Sequence, residues 1–347
     1  MAEVVGGFAS SHGSTCSLPA ELWEWHGQSD MHSRQLITVP EGRRVTYEQV
    51  LAQADPNIAK SVNIETYRRQ VENIQKGLDD LEDRFRQTEM DVVVMFGDDQ
   101  AEWFFEDNMP TINVFWGESV KVLPRPGVSD EYRSYLTEEQ DWPVDTELGL
   151  HVIESLMEQD FDTAQSRYQK QPYGGSIGPA TWYLDGKRTT EPRVFGIPHA
   201  YGLPLGRWFA GKTVPILPIS INTCYPPNWI SPSRAYALGR AVRRAIDSWK
   251  SDKRVAFACS GGLSHAVVDE ELDRMAWKGL QDADSEILTS LPRHRLQANT
   301  TEILNWVATQ GAMGDARMDP ITYEATYRTL AGTGLGCAVG HWPTARR

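Results

Sequence analysis

The stretch Asp91–Gly117, DVVVMFGDDQAEWFFEDNMPTINVFWG, indicates the fold most directly. Its first part, Asp91–Phe96, is a short valine-rich apolar run that ends at a glycine, which is typical of a buried β-strand. Two carboxylates and an amide follow at once, on Asp98, Asp99 and Gln100. Ligands bind outside the carboxyl ends of strands in open α/β sheets, so these residues indicate a site, although a tight turn would favour the same residue types.

Three further segments are predicted strands: Val4–Ala9, Thr213–Asn222 and Val255–Cys259. The second contains two prolines, which favours an edge strand or an irregular one. Helix-like segments separate the strands, and we find no linker, internal repeat or low-complexity segment. We therefore predict an α/β fold with a mostly parallel central sheet flanked by helices on both sides, in one domain over residues 1–347.

Two of the predicted helices have clear sequence signals. Ser61–Glu89 carries apolar residues at alternating spacings of three and four, which predicts an amphipathic helix that packs against the sheet. Asn299 and Glu302 have the spacing of a capping box, and Gly311 marks a stop, which predicts a helix over Thr300–Gln310.

Charge and composition exclude several classes of protein. The 347 residues include 34 basic and 47 acidic side chains, for a formal net charge of -13. So acidic a chain repels the phosphate backbone, and we expect no nucleic-acid partner. No apolar run approaches the length of a membrane span, and the N-terminus lacks the pattern of a signal peptide. Four cysteines without a CxxC pair fit a reducing compartment and predict no disulfide framework, so we expect a cytoplasmic protein.

Polar side chains follow each of four predicted strands: His12; Asp98–Gln100; His199 with Asn222–Tyr225; and His265 with Glu270–Glu271. If these strands are parallel neighbours, the four groups converge at one edge of the sheet. A histidine and a carboxylate with open positions suit iron(II) or another divalent ion, and a second, unligated histidine suits general acid–base catalysis. A purely structural role for each histidine remains open at this point.

Several segments occur in an order and spacing that together are specific. They are ASSH at Ala9–His12, DVVVMFGDDQAEWFFEDNMPTINV at Asp91–Val114, IPHAYGLPLG at Ile197–Gly206, INTCYPPN and SPSRAYALGRAVRRAI within Ile221–Ile246, SGGLSHAVVDEELD at Ser260–Asp273, and, near the end, TTEILNWVATQGAMG and YRTLAGTGLGCA. The chain thereby resembles, over most of its length, the class III extradiol ring-cleaving dioxygenases of the protocatechuate 4,5-dioxygenase beta-subunit type.

The resemblance implies a non-haem iron(II), Fe(II), held by two histidines and one glutamate in a facial triad. His12 matches the first histidine, and Glu271 fits the glutamate better than Glu270 does. The family's second histidine is absent, because its Asn-Asp-His reads Asp-Asp-Gln at residues 98–100. We therefore expect Gln100 to complete the site through its amide oxygen, with Asp99 as the next candidate. Two alternatives stay open: Gln100 supports the site while Asp98, Asp99 or water fills the vacant position, or the site has lost its metal.

The resemblance also implies an acid–base histidine, which His199 matches. A second active-site histidine of the family falls in a region that here offers Tyr225. We expect both residues to be catalytic, and we expect Asn222, Tyr201 and His265 to line the substrate site, His265 in a supporting role and not as a ligand.

The function implied is an iron(II)-dependent, extradiol-type dioxygenase that cleaves a catechol-like or related hydroxylated ring in aromatic compound catabolism. Its expected partners are the small aromatic substrate, O2 and further copies of itself in a homo-oligomer. Because an amide in place of an imidazole suits a harder ion, a redox-neutral metal-dependent hydrolase or lyase on the same scaffold is an alternative. A non-catalytic partner subunit is a third possibility.

Overall fold

The computed structural model describes residues 1–33, 36–100, 102–105, 108–123, 139–169, 173–175, 189–193, 196–209 and 211–344. Their strands are β1 (Glu3–Ser10), β2 (Val92–Gly97), β3 (Ile112–Phe115), β4 (Ser119–Val122), β5 (Gln140–Pro143), β6 (Ala164–Ser166), β7 (Tyr173–Gly175), β8 (Thr189–Arg193), β9 (Ile216–Ile221), β10 (Arg254–Ser260), β11 (His265–Val267), β12 (Asp319–Tyr327) and β13 (Thr333–Pro343).

The helices over the same ranges are α1 (Trp23–Asp30), α2 (Tyr47–Leu51), α3 (Ile64–Gln87), α4 (Thr146–Glu158), α5 (His199–Arg207), α6 (Pro232–Ser248), α7 (Glu270–Asp282), α8 (Ser285–Thr289) and α9 (Ile303–Met313). Short 3-10 turns include Ser14–Cys16, which begins four residues after the last residue of β1, and Ala298–Glu302, directly before α9. None of the described helices combines the length and the apolar character that crossing a membrane requires.

The main sheet has the strand order β11-β13-β1-β10-β2-β9-β3-β6, and β12 pairs with β13 outside this path. The central strands β1, β10, β2 and β9 run parallel to one another. On the two sides, β13 runs antiparallel to β1 and β3 runs antiparallel to β9. The sheet is therefore mixed, and the prediction of a mostly parallel sheet describes only its centre. A short connection joins β12 to β13, as antiparallel pairing allows, and the glycine-rich C-terminal segment thereby extends the sheet.

Both faces of the sheet are covered. Side chains alternate along β2, so that Val92, Val94 and Phe96 pack in one core while Val93 and Met95 pack in the other. The first core also holds the apolar faces of α4, α6, α7 and α9, and the second holds those of α3 and α5. The prediction of helices on both sides is confirmed.

The predicted strand with two prolines, Pro215 and Pro218, does not lie at an edge. It corresponds to β9, which begins directly after Pro215 and lies between β2 and β3. β3 pairs only with Ile219–Ile221. Both prolines therefore precede the part of β9 that pairs with β3, and the ladder on that side loses no hydrogen-bond donor to them.

The position of α9 is fixed by close contact with α6. A Cβ on Gly239 would lie 1.8 Å from the backbone oxygen of Ala308, and a Cβ on Gly311 would lie 2.2 Å from that of Tyr236. Glycine is therefore required at both points. The contact holds the N-terminus of α9 at the carboxyl edge of the parallel strands, where α9 also packs against β10 and β2.

Candidate metal centre

Three buried side chains meet at the carboxyl edge of the parallel strands. His12 lies just past β1, Asp98 directly follows β2, and Glu302 ends the 3-10 turn that leads into α9. One ligand atom from each side chain lies within 4.8 Å of the others. The convergence expected for polar groups at neighbouring strand ends is therefore present for His12 and Asp98, and a helix start supplies the third group.

His12 is held by the end of β10. Its Nδ1 lies 2.8 Å from Oγ of Ser260, and its Nε2 lies 3.4 Å from Oε2 of Glu302. A proton on Nδ1 donates to the serine and leaves the lone pair of Nε2 available to a metal, as in other histidine ligands with an oriented second nitrogen.

Glu302 is surrounded by hydrogen-bond donors. Its Oε2 accepts from the backbone N–H of Gly262 at 2.8 Å, and its Oε1 accepts from Nε2 of Gln100 at 2.7 Å. Nε2 of His265 lies 3.3 Å from Oε2. A Cβ on Gly262 would lie 2.1 Å from His265, so the glycine allows this close approach of backbone and ring. Glu302 occupies the N-cap position of α9, but its side chain makes no capping hydrogen bond there because its oxygens are used in the cluster.

Asp98 is fully buried, and burial raises the pKa of its carboxyl group. Its Oδ1 accepts from Nδ2 of Asn305 at 3.0 Å, and its Oδ2 accepts from Nε2 of Gln100 at 3.2 Å. Asn305 also donates to the backbone oxygen of Ser260, which connects Asp98 to the support of His12.

The donor set fits a divalent metal. It offers one imidazole nitrogen and two carboxylates, a combination that first-row divalent ions accept and that is harder than two histidines and one carboxylate. Two carboxylates this close and this deeply buried repel each other, and a divalent cation between them would neutralise both charges.

A second histidine lies against the cluster. The ring of His199, the first residue of α5, packs edge-on against His12 with the ring centroids 4.6 Å apart. Its Nδ1 lies 2.8 Å from Oε2 of Glu102, and its backbone N–H donates to Oε1 of Glu102 at 3.1 Å. Both side chains are buried. Glu102 was not identified from the sequence, where its only signal is its position two residues after Gln100.

Glu271 is not brought to the cluster, which corrects its assignment as the glutamate ligand. It lies in the first turn of α7 with 69% of its side chain exposed and pairs with Arg295 at 3.4 Å. Asp269 caps this helix by accepting from the N–H of Leu272, and the first turn then directs Glu271 to solvent. Glu302 takes its place in the cluster.

Gln100 does reach the cluster, but through its nitrogen. Nε2 donates to both carboxylates, of Asp98 and Glu302, while Oε1 accepts from Nδ2 of Asn299 at 3.4 Å. In this arrangement Gln100 links the two carboxylates through hydrogen bonds, and its amide oxygen is not directed at the candidate metal position.

The carboxylate of Asp99 forms its hydrogen bonds with the backbone. Its two carboxylate oxygens accept from the N–H groups of Glu102, Trp103 and Phe104 at 3.3, 2.7 and 3.2 Å. Burial, with the charge of Glu102, raises the pKa of Asp99 to about 8. The residue therefore holds the turn that carries Glu102 and lies outside the group of three.

Of the residues predicted to line the substrate site, His265 is at the cluster, and burial lowers its pKa to about 4. Tyr201 is fully buried behind β2, with its hydroxyl 3.1 Å from Oγ of Ser220, so the structure places it in the core. Asn222 donates to the backbone oxygen of Tyr225 at 2.8 Å and accepts from the N–H of Tyr225 at 2.9 Å, which braces the loop after β9. Tyr225 is half-buried in that loop.

The fold and the cluster thus define an α/β protein with a candidate metal centre and an adjacent histidine at the carboxyl edge of its parallel strands. The profile of the family described as "Catalytic LigB subunit of aromatic ring-opening dioxygenase" matches residues 56–337, and the chain belongs to this family. This confirms the resemblance seen in the motifs. Asp98, His199 and Glu302 lie inside the matched range, and His12 precedes it.

Curated relatives carry dioxygenase names. The chain is 28% identical over 190 residues to the 2,3-dihydroxyphenylpropionate/2,3-dihydroxicinnamic acid 1,2-dioxygenases of Cupriavidus necator and Cupriavidus pinatubonensis, a match over 55% of this chain and 48% of each relative. It is 29% identical over 123 residues to the gallate dioxygenase of Pseudomonas putida, over 35% of this chain and 29% of that protein. The match spans about half the length of the first two relatives and less of the third.

Proposed function

We propose that this chain is a metal-dependent aromatic ring-opening dioxygenase whose metal is held by His12, Asp98 and Glu302. The observation that carries the proposal is the buried group of three ligand atoms within 4.8 Å at the carboxyl edge of the parallel strands. Family membership supplies the reaction class. We further propose that the whole chain forms one catalytic domain, that the metal is iron(II), and that the substrates are O2 and a small hydroxylated aromatic of the catechol type.

When bound, the metal would hold the oxygens of the substrate and lower the pKa of one phenol, as metals do for bound water. The protein prepares the ligands for this. Ser260 fixes the orientation of the His12 ring, and Gln100 donates a hydrogen bond to each carboxylate, which fixes the orientation of both. In this proposal Gln100 supports the ligands, and Asp98 fills the position that the missing histidine leaves.

His199 is the proposed proton acceptor. Glu102 accepts a hydrogen bond from the protonated Nδ1 of His199, so Nε2 carries a lone pair that can take a proton from the second phenol of the substrate. The edge-on contact with His12 keeps the ring beside a proposed ligand, where the substrate would bind. This pairing of a base with an orienting carboxylate follows the same logic as catalytic triads.

The donor set also fits one alternative reaction class. Two carboxylates and one imidazole favour a harder ion than two imidazoles do, and such an ion suits redox-neutral hydrolysis or elimination. A non-catalytic partner subunit is less consistent with the site, because His12, His199, Asp98 and Glu302 are all retained around one point.

Oxygen uptake tests the reaction class. The protein is loaded anaerobically with Fe(II), mixed with a panel of catechols, and followed in an oxygen electrode together with the ultraviolet absorbance of the ring. We expect O2 consumption and loss of the aromatic ring in equal amounts with at least one catechol. His12→Ala, treated identically, should consume none. A metal-loaded protein that consumes no O2 across the panel but hydrolyses or eliminates from a related substrate would establish the alternative.

A further inference from the structure

Two buried cysteine thiols lie side by side near the candidate metal centre. Sγ of Cys16 is 2.8 Å from Sγ of Cys337, although 321 positions separate the residues in the sequence. Cys16 ends the 3-10 turn that follows His12, and Cys337 lies in β13. We propose that Cys16 and Cys337 are a covalent modification site that closes into an intramolecular disulfide when a peroxide reaches it.

The backbone on both sides of the pair is fixed. Ser11 donates its N–H to the oxygen of Ala338 at 2.8 Å and accepts from the N–H of Ala338 with its hydroxyl at 2.9 Å. On the other side, Gln75 donates to the backbone oxygen of Cys16 at 2.9 Å. A disulfide has an S–S distance of about 2.05 Å, so closing the bond requires each sulfur to move by only about 0.4 Å.

A small cavity lies against one of the two thiols. A cavity beside the turn is lined by Cys16 and by Ser11, His12, Arg207 and Trp208, whereas Cys337 is fully buried. Burial also raises the pKa of Cys337 well above its ordinary value. Because Cys16 lines the cavity and Cys337 is not among its lining residues, a small peroxide in the cavity meets Cys16 first.

The chemistry balances with hydrogen peroxide as the oxidant. Sulfur of Cys16 attacks one peroxide oxygen, the O–O bond breaks, and one water leaves with the formation of a sulfenic acid. Sulfur of Cys337 then attacks the sulfenic sulfur, its proton joins the departing hydroxide, and a second water leaves. The two thiols lose two electrons in all, and the peroxide gains them.

The other two cysteines have different surroundings. Sγ of Cys224 lies 3.7 Å from Asn299 and from Thr301, and Cys259 is buried in β10 beside Thr309. Among the described residues, neither Cys224 nor Cys259 is paired with a second thiol. The proposal is therefore specific to one pair, and it does not depend on the reaction that the protein catalyses.

The test uses the full chain, freed of metal with a chelator and treated with hydrogen peroxide. We expect the four thiols of the unfolded protein to fall to two, the intact mass to fall by two hydrogen atoms, and a non-reduced digest to contain a peptide pair joined at Cys16 and Cys337. Dithiothreitol should restore all four. The thermal midpoint of the oxidised form should rise, because the cross-link restricts the unfolded chain.

Variants decide the assignment. Cys224→Ser should still form the disulfide, whereas Cys16→Ser and Cys337→Ser should not, with circular dichroism confirming that each is folded. Two substitutions on opposite sides of the pair keep the test valid if one of them fails to fold. Oxidised protein that retains four thiols, that carries sulfinic acids without a cross-link, or that joins another pair of cysteines would overturn the proposal.

Discussion

Replacing Glu102 with glutamine tests how the proposed proton acceptor is prepared. The carboxylate accepts two hydrogen bonds from His199, at 2.8 Å from Nδ1 and 3.1 Å from the backbone N–H. The glutamine amide has the same shape but only one acceptor oxygen. If the glutamine oxygen still accepts from the backbone N–H of His199, the amide N–H₂ group faces Nδ1. Two donors cannot face each other, so the imidazole must lose its proton from Nδ1 and carry it on Nε2. The lone pair that would accept the substrate proton is then lost.

The magnitude is bounded by the contribution of the base itself. General acid–base groups contribute about 10²–10⁴ in rate, or about 3–5 kcal/mol of barrier, and Glu102→Gln can remove most but not more than this. We expect kcat to fall by about 10²–10³ while KM and metal content stay close to those of the parent, because Glu102 is not one of the three proposed ligands.

The assay is steady-state oxygen consumption by the iron-loaded protein over a range of concentrations of the aromatic substrate. Glu102→Asp should retain part of the rate, and the exposed Glu65→Gln should behave as the parent. In the background of His199→Ala, Glu102→Gln should cost nothing further, because the two residues act as a unit. A Glu102→Gln variant within about twofold of the parent, or one whose effect adds fully to that of His199→Ala, would refute this coupling.

Three further predictions concern the ligands' surroundings and the core. Gln100→Ala should weaken metal binding by about 10–100-fold and Gln100→His should strengthen it, as measured by competition with a chromogenic chelator; parent-like affinity in both variants would make this position structural. Ser260→Ala should weaken metal binding to His12 by a similar factor in the same titration. Burial raises the pKa of Asp273 from 3.8 to about 7, a difference of about 4 kcal/mol at most between its protonation states. The folded state thus holds this proton more tightly than the unfolded state, so the stabilisation is present below about pH 4 and is lost as the pH rises through 7. Thermal midpoints of Asp273→Asn should decline less than those of the parent between pH 5 and 8, and parallel profiles would show that Asp273 is ionised throughout.

The spacing of apolar residues in the sequence was sufficient to predict individual strands and helices. The valine-rich run became β2, and the spacing in Ser61–Glu89 became α3, which runs over Ile64–Gln87. The edge of the sheet that carries the candidate site was also predictable. Ligands bind outside the carboxyl ends of strands, and applying this rule needs only the strand and the residues that follow it. The rule identifies His12 and the segment Asp98–Gln100, but within that segment the sequence favours Gln100 and then Asp99 as the ligand, and not Asp98.

The third ligand candidate could not be found by the same rule. Glu302 lies at a helix start, far along the chain, in a segment whose spacing is equally typical of a capping box. Glu271 was preferred because it follows a strand and a matching motif, and only the cap at Asp269 shows that its side chain faces solvent. The direction of a side chain in a first helical turn depends on tertiary packing, which spacing does not encode.

The same limit applies to the contacts between side chains. Nothing in the spacing of Gln100 shows whether its oxygen or its nitrogen faces a ligand, and the pairing of His199 with Glu102 joins a helix start to a loop 97 positions away. The mixed character of the sheet likewise results from where β13 and β3 dock and not from their composition, since apolar runs suit either direction.

Metal stoichiometry after anaerobic loading tests the central claim most directly. The parent, Glu302→Ala and Glu271→Ala are each incubated with Fe(II), freed of excess by gel filtration under argon, and analysed for iron per chain, with circular dichroism to confirm folding. We expect about one iron per chain in the parent and in Glu271→Ala, and a nearly empty site in Glu302→Ala, because only Glu302 lies in the buried cluster with His12 and Asp98. Full occupancy of a folded Glu302→Ala variant, or loss of iron from Glu271→Ala, would contradict the assignment of Glu302 as a ligand.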